Sequence, residues 1–356
     1  MAFLTLYREK LQHNFQYLEK LFTEHKIERG YVTKLLCGNS LYLKELSILG
    51  ITEMHDTRIS NLKTIKKISP DIQTVYIKPP AKRSIASVIQ FADVSFNTDF
   101  YTIQMLSQEA VKQNKTHKVI IMIEMGDLRE GVMGDHLLDF YEQVFELPNI
   151  QIIGIGTNLN CLNGILPNQD KLIQLCLYKQ LIELKFSRPI PWISGGTSVT
   201  LPLLINQQIP AGINHFRIGE ALFFGNDLFT GQPFRGMETD VFVLSAEIIE
   251  LYEKPVIPSG EQIENVAGHI PSFHEDDYGR SSFRAIIDIG LLDINPVFLI
   301  PKDENLQIIE ASSDMLVLDL GENEQKYKTG DLLTFHLRYM GALGLMNSNY
   351  VEKVVR

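Results

Sequence analysis

Hydrophobic positions along the first two-thirds of the chain switch between two periods. A short apolar run at Phe3–Tyr7 reads as a strand, and Leu11, Phe15, Leu18 and Phe22 then recur at helical spacing. From there β-rich runs alternate with amphipathic segments. Strands are predicted at Tyr31–Leu36, Glu53–Asp56, Thr74–Lys78, Val94–Asn97, Val119–Met125, Ile152–Asn158, Pro191–Ser194 and Phe216–Leu222. Helices are predicted at Tyr42–Leu49, Ile59–Ile68, Ile85–Phe91, Phe100–Val111, Leu137–Phe145 and Leu172–Lys185. About eight strand–helix units over roughly 200 residues is the size of a (β/α)8 TIM barrel. A doubly wound open sheet shows the same alternation, so the pattern alone does not separate the two.

The pattern changes after Gly236. Strand-like segments follow without long helices between them: Val241–Leu251, Arg284–Ile289, Val297–Ile300, Gln307–Ala311, Met315–Leu320 and Leu332–Leu337. Turn signals such as Pro258-Ser259-Gly260 and Gly321-Glu322-Asn323 separate them. The expected organisation is an α/β barrel over 9–236, followed by a mainly β C-terminal domain over 237–356 to which strand 1–8 belongs.

Composition narrows the function classes. A chain of 356 residues, 45% of them hydrophobic, can bury one large core and a second smaller one. A formal charge of −10 argues against a nucleic-acid binder and is consistent with small-molecule partners. Three cysteines without paired metal spacing fit a reducing cytoplasm, and no metal site is predicted. No apolar run approaches the ~20 residues of a membrane span, and the apolar patch before Arg8 is too short for a signal peptide. A cytoplasmic location is expected.

One residue breaks the apolar pattern. Lys34 stands in Tyr31-Val32-Thr33-Lys34-Leu35-Leu36, which reads as a buried strand. An ammonium held there without a partner tends to lose its proton, and a neutral amine can form a Schiff base. Barrel chemistry sits at the C-terminal ends of the strands. Polar, glycine-bearing segments end four of the later ones: Gly126–Gly131, Gly156–Asn160, Ser194–Ser198 and Arg217–Glu220. The Ser-Gly-Gly-Thr-Ser run has the composition of a phosphate cradle. A Schiff-base lysine opposite such a cradle describes a pyridoxal 5′-phosphate site. Each piece has a plainer reading: a turn capping a helix for Gly195-Gly196-Thr197, surface ion pairs for Arg129 and Arg217, and a lysine whose head reaches solvent.

With these segments in order, the chain resembles the fold-type III pyridoxal-phosphate enzymes of the alanine racemase group, most closely its ornithine and broad-specificity amino-acid racemase branch. The resemblance rests on Asn14 in the first helix, Val32-Thr33-Lys34, Gly126–Gly131, Gly154–Asn158, Ser194–Ser198, Arg217–Ala221 and Ser312–Leu320. It implies a racemase that interconverts L- and D-amino acids, working as a head-to-tail homodimer. Lys34 would carry the cofactor and act as one of two bases. Arg217 would face the pyridine nitrogen, and Asn158 would lie under the ring. Ser194, Gly195, Gly196, Thr197 and the amides of Gly219 and Glu220 would bind the phosphate. Arg129 would sit near the cofactor's phenolic oxygen or the substrate carboxylate, with Ser313 and Asp314 on the substrate side.

The chain departs from the alanine racemases in three places. The β-domain tyrosine that serves as their second base is absent from Asn265–His269 and from Asp288–Asp293, so His269 becomes the candidate, with Asp293, Ser313 and Tyr278 behind it. Asn158 replaces a histidine, and Gly38 replaces a tyrosine. The last two fit a reshaped pocket for a longer cationic amino acid, whose distal ammonium Asp127, Glu130 or Asp314 would meet. A non-catalytic carrier of the cofactor is the main competitor. An aldolase or dehydratase of hydroxy amino acids, with metal ligands drawn from His269, His274, Glu275 and Asp276, ranks below it.

Overall fold

The computed structural model describes residues 2–264, 268 and 270–356. It divides into two units, one of residues 9–239 and one of residues 1–8 with 240–356. Strand β1 (Phe3–Leu6) belongs to the second, and the eight strands that follow it close the first into a barrel. These are β2 (Glu28–Val32), β3 (Glu53–Asp56), β4 (Gln73–Tyr76), β5 (Val94–Asn97), β6 (His117–Met122), β7 (Ile150–Gly156), β8 (Trp192–Thr197) and β9 (His215–Ile218). All neighbours pair in parallel, and β9 returns to β2 with Glu28 opposite His215 and Tyr31 opposite Ile218. The open-sheet alternative is thereby excluded. Parallel strands are covered on both faces, which is why they read as apolar runs rather than alternations.

Helices α1 (Arg8–His25), α2 (Ser40–Ile48), α3 (Ile59–Ile68), α4 (Ile85–Phe91), α5 (Phe100–Lys112), α6 (Leu137–Phe145), α7 (Gln169–Phe186), α8 (Leu201–Ile205) and α9 (Glu220–Phe224) connect the strands. Asn39, Asp99 and Asn168 start α2, α5 and α7 by accepting backbone N–H bonds that would otherwise be unsatisfied. Val75, Val94, Phe96, Ile120, Met122 and Ile153 form an apolar cluster among the middle strands. No described helix is long and apolar enough to cross a membrane.

The barrel corrects three local expectations. The strand expected over Tyr31–Leu36 stops at Val32, and Lys34–Leu36 form a 3-10 turn. The one expected over Phe216–Leu222 stops at Ile218, because Gly219 opens α9. The one expected to end at Ser194 runs on to Thr197, so Gly195 and Gly196 are buried strand residues and not loop residues. Close packing explains both glycines. A Cβ at Gly195 would lie 2.8 Å from Ile213 Cδ1, and one at Gly196 would collide with the Phe216 ring.

The second unit is an eight-stranded sheet. Its long strand β10 (Phe242–Pro255) pairs with β1, with β11 (Ser281–Ile287) and with β15 (Leu332–Leu337). Strands β12 (Leu299–Pro301), β13 (Gln307–Ala311) and β14 (Leu316–Asp319) extend it, and β16 (Glu352–Val355) runs parallel to β1. Helix α10 (Tyr339–Asn347) was not anticipated. Its two glycines lower helix propensity, and Gly341 is there because a Cβ would lie 2.9 Å from Phe298 Cβ.

Candidate active site

Thr33 fixes the end of β2. Its Oγ1 donates to Asp56 Oδ2 at 2.8 Å and its amide to the His55 carbonyl at 2.8 Å. Asp56 also accepts from the Arg58 amide and from Asn61 Nδ2. Burial pushes the Asp56 carboxyl up, against the pull of those hydrogen bonds. Lys34 follows at the second position past the strand, on the C-terminal rim of the barrel. Its side chain is exposed, which corrects the expectation of a buried ammonium. The strand ended earlier than the apolar run, so Leu35 and Leu36 turn inward while Lys34 turns out. Glu220, on the rim after β9, feels the Lys34 charge: burial raises its carboxyl, and the ammonium opposes that rise.

Arg217 is the opposite case. It is 5% exposed, inside the barrel, and Nη1 donates to the Ser194 carbonyl at 2.6 Å and to Ser194 Oγ at 2.7 Å. Nη2 donates to the Thr157 carbonyl at 2.6 Å. The guanidinium carbon lies 5.5 Å from the centre of the Phe96 ring. Burial pushes it down to about 10, so it is charged at neutral pH. Among the described residues no carboxylate lies within ion-pair distance of it. These bonds use at most three of the five N–H groups of a guanidinium.

Two acids organise the loops after β6 and β7. Glu124 accepts the amides of Gly126, Leu128 and Arg129. Asp127, buried, accepts those of Cys161, Leu162, Asn163 and Ile165 at 3.0–3.4 Å. Burial works against that carboxylate, and the four amides outweigh it and hold it below its ordinary range. Asp127 is therefore committed to loop structure and has no lone pair to spare for a distal ammonium. Arg129 is exposed and pairs with Glu130, Nε to Oε2 at 3.2 Å. Burial raises Glu130, opposed by Arg129 and Arg217. Asn158 Nδ2 contacts Cys161 Sγ at 3.0 Å.

At the end of β8, Ser198 Oγ accepts the amides of Gly219 at 3.3 Å and Ala221 at 3.2 Å. Thr197 and Thr200 cap each other. Ser198 thus joins the segments after β8 and β9, a role the sequence reading did not give it.

In the second unit Ser313 and Asp314 form the exposed turn between β13 and β14. The Leu291 and Leu292 amides donate to the Ser312 and Ser313 carbonyls, and Gly290 lies where a Cβ would be 2.5 Å from the Met315 amide. Asp293 Oδ1 accepts from Ser348 Oγ at 2.5 Å, and Tyr278 is exposed. His269 lies outside the described residues. His274, Glu275 and Asp276 are exposed and form no metal-binding group among the described residues.

Sequence reasoning missed a buried polar cluster on the barrel axis. Glu53 Oε1 accepts from His55 Nε2 at 2.5 Å and His215 Nε2 at 2.9 Å, and His215 Nδ1 is 2.7 Å from Ser194 Oγ. The signal was present: Glu53 and His55, and likewise His215 and Arg217, are two apart on a strand and so share a face.

The chain is similar to known racemases in sequence and in fold. Residues 7–227 match the family model described as the alanine racemase N-terminal domain. The chain is 34% identical over 351 residues to an ornithine racemase of Acetoanaerobium sticklandii, covering 98% of each chain. It is 30% identical over 346 residues to a lysine racemase of Thermotoga maritima, covering 97% of this chain and 96% of that one. Among solved structures, alanine racemase from Bartonella henselae with covalently bound pyridoxal phosphate matches with a TM-score of 0.74 at 16% identity, over 100% of this chain and 99% of that one. At that identity the likeness is one of fold.

Proposed function

The chain belongs to the alanine racemase family of amino-acid isomerases, and we propose that it uses pyridoxal phosphate to racemise a cationic amino acid such as ornithine or lysine. The observation that carries the cofactor reading is Arg217: a buried guanidinium that meets only neutral oxygens and has donors to spare. Such a group fits a neutral ring nitrogen, which accepts one hydrogen bond. The exposed Lys34 on the same rim supplies the amine that would hold the cofactor.

When bound, pyridoxal phosphate acidifies the Cα–H of the amino acid it carries. Lys34 Nζ, released when the amino group of the substrate takes its place on the cofactor, would take the Cα proton from one face, and a group on the opposite face would return one. His269 is the first candidate for that group, with Asp293, Ser313 and Tyr278 behind it. Arg217 can only donate, so it leaves the ring nitrogen unprotonated and moderates the electron demand on Cα. Thr197 and the backbone of Gly219 and Glu220 would hold the phosphate end, with Asn158 under the ring. Ser194, Gly195 and Gly196 are withdrawn from that role, because Ser194 Oγ is taken up by Arg217 and His215 and the two glycines are buried in β8. Arg129 would lie near the cofactor's phenolic oxygen or the substrate carboxylate, and Ser313 and Asp314 are the second unit's candidates for the substrate side. Of the acids considered for the distal ammonium, Glu130 and Asp314 remain after Asp127 is removed. The working unit in this reading is a homodimer in the cytoplasm.

The cofactor reading is tested by absorbance. Purified protein should show the visible band of bound pyridoxal phosphate, and Lys34→Ala should lose it together with activity. A band that survives in Lys34→Ala contradicts the assignment of Lys34.

A further inference from the structure

The Glu53–His55–His215 cluster lies beneath Arg217 inside the barrel, and its protons can be placed by elimination. Arg217 only donates. Ser194 Oγ therefore accepts from Nη1 at 2.7 Å and turns its own proton to His215 Nδ1, also 2.7 Å away. An imidazole that accepts on Nδ1 carries its proton on Nε2, and His215 Nε2 donates to Glu53 Oε1 at 2.9 Å. His55 Nε2 donates to the same oxygen at 2.5 Å, and Gln73 Nε2 to Oε2 at 2.5 Å. Burial alone would raise Glu53, but the two histidines outweigh it and hold the carboxyl well below its ordinary range. Gly30 on β2 makes the space, because a Cβ there would collide with His55 and Glu53.

The result is an unbroken line from a buried carboxylate to a buried guanidinium: Glu53, His215, Ser194, Arg217. His55 touches the same carboxylate but leads nowhere, since its Nδ1 has no hydrogen-bond partner. The cluster also presents three atoms that a metal ion would use. A metal would need the lone pairs of both Nε2 atoms, whereas both are spent here as N–H donors.

Taking a guanidinium out of water without a counter-charge is costly, and in a low-dielectric interior a carboxylate acts over a longer range than in water. Hydrogen-bonded chains also polarise one another. We propose that Glu53 is the counter-charge of Arg217, acting through His215 and Ser194, and that these three are positioning residues that aim the guanidinium at the cofactor's ring nitrogen. This rests on the pyridoxal-phosphate reading above. None of the three needs to touch the reacting atoms.

The test is pyridoxal phosphate binding, measured by titrating cofactor-stripped full-length protein, in wild type, Glu53→Gln, His215→Asn, His55→Asn and Ser194→Ala. His55 and His215 are both fully buried and bond the same oxygen, so both substitutions lower the melting temperature and stability is not the readout. The relay weakens cofactor binding about 10-fold or more in His215→Asn and Glu53→Gln. It changes binding less than about twofold in His55→Asn. Ser194→Ala removes one hydroxyl and serves if the glutamate variant does not fold; it should weaken binding in the same direction. Equal losses in the two histidine variants, wild-type binding in Glu53→Gln or Ser194→Ala, or a stoichiometric metal retained by the cluster would each overturn the proposal while leaving the cofactor reading intact. A wild-type protein that binds no pyridoxal phosphate overturns both.

Discussion

Gly38 and Asn61 meet so closely that a Cβ at residue 38 would stand 2.5 Å from Asn61 Oδ1. Gly38 also has φ of +76°, where side chains are strained. Asn61 in turn holds Asp56, and Asp56 holds Thr33 beside Lys34. Gly38→Ala should therefore cost about 1–3 kcal/mol of stability and disturb the lysine turn. The check is a denaturant melt alongside the cofactor absorbance. A variant as stable as wild type would show that the turn relaxes freely. The same contact and the positive φ favour glycine over any larger residue at 38.

Arg217 is expected to control which way the reaction goes. Replacing it with an acid, Arg217→Glu, puts a proton-sharing partner against the ring nitrogen and strengthens the electron demand. Racemisation should fall by about 100-fold and abortive transamination should become measurable. Counting turnovers before loss of the cofactor band reads this directly. An unchanged count would separate Arg217 from the ring nitrogen.

Asp127 is assigned to loop structure and not to substrate. Asp127→Ala leaves the amides of residues 161–163 and 165 without their acceptor, which should cost about 1–3 kcal/mol. Limited proteolysis should open that loop first. The KM values for amino acids with cationic and neutral side chains should shift in parallel. A loss confined to the cationic substrates would return Asp127 to the ammonium site.

His117 sets a pH limit on stability. It is 3% exposed beside Ser95, and burial pushes it down to about 4. The unfolded state thus binds this proton more readily than the folded one, from an unfolded value near 6.5 downward. Stability from this residue is complete above pH 6.5 and is lost as pH falls, by about 2 kcal/mol at pH 5. His117→Asn should flatten that part of the stability curve. If the slope between pH 7 and pH 5 is unchanged in the variant, other groups account for it.

The barrel was legible because parallel strands covered on both faces appear as apolar runs between amphipathic helices. Lys34 was legible by position and misread by environment. The apolar run extends past Val32, and only the turn at Lys34–Leu36 shows that Leu35 and Leu36 point inward while the lysine points out. Gly195 and Gly196 looked like loop residues because composition cannot distinguish a cradle from two strand positions crowded by Ile213 and Phe216. Helix α10 was hidden by its glycines. The line from Glu53 to Arg217 joins β3 to β8 and β9 from the other end of the barrel sequence, and only the closure of β9 onto β2 brings them together.

The most direct measurement follows Cα–H exchange by NMR in D2O for ornithine, lysine and alanine, with the chirality of the product read in parallel. The two-base reading predicts that deuterium enters Cα of ornithine or lysine with inversion, and that Lys34→Ala abolishes both. Exchange with retention would leave one base and no racemase. Absence of exchange with all three would contradict this substrate reading and favour a protein that carries its cofactor without turnover.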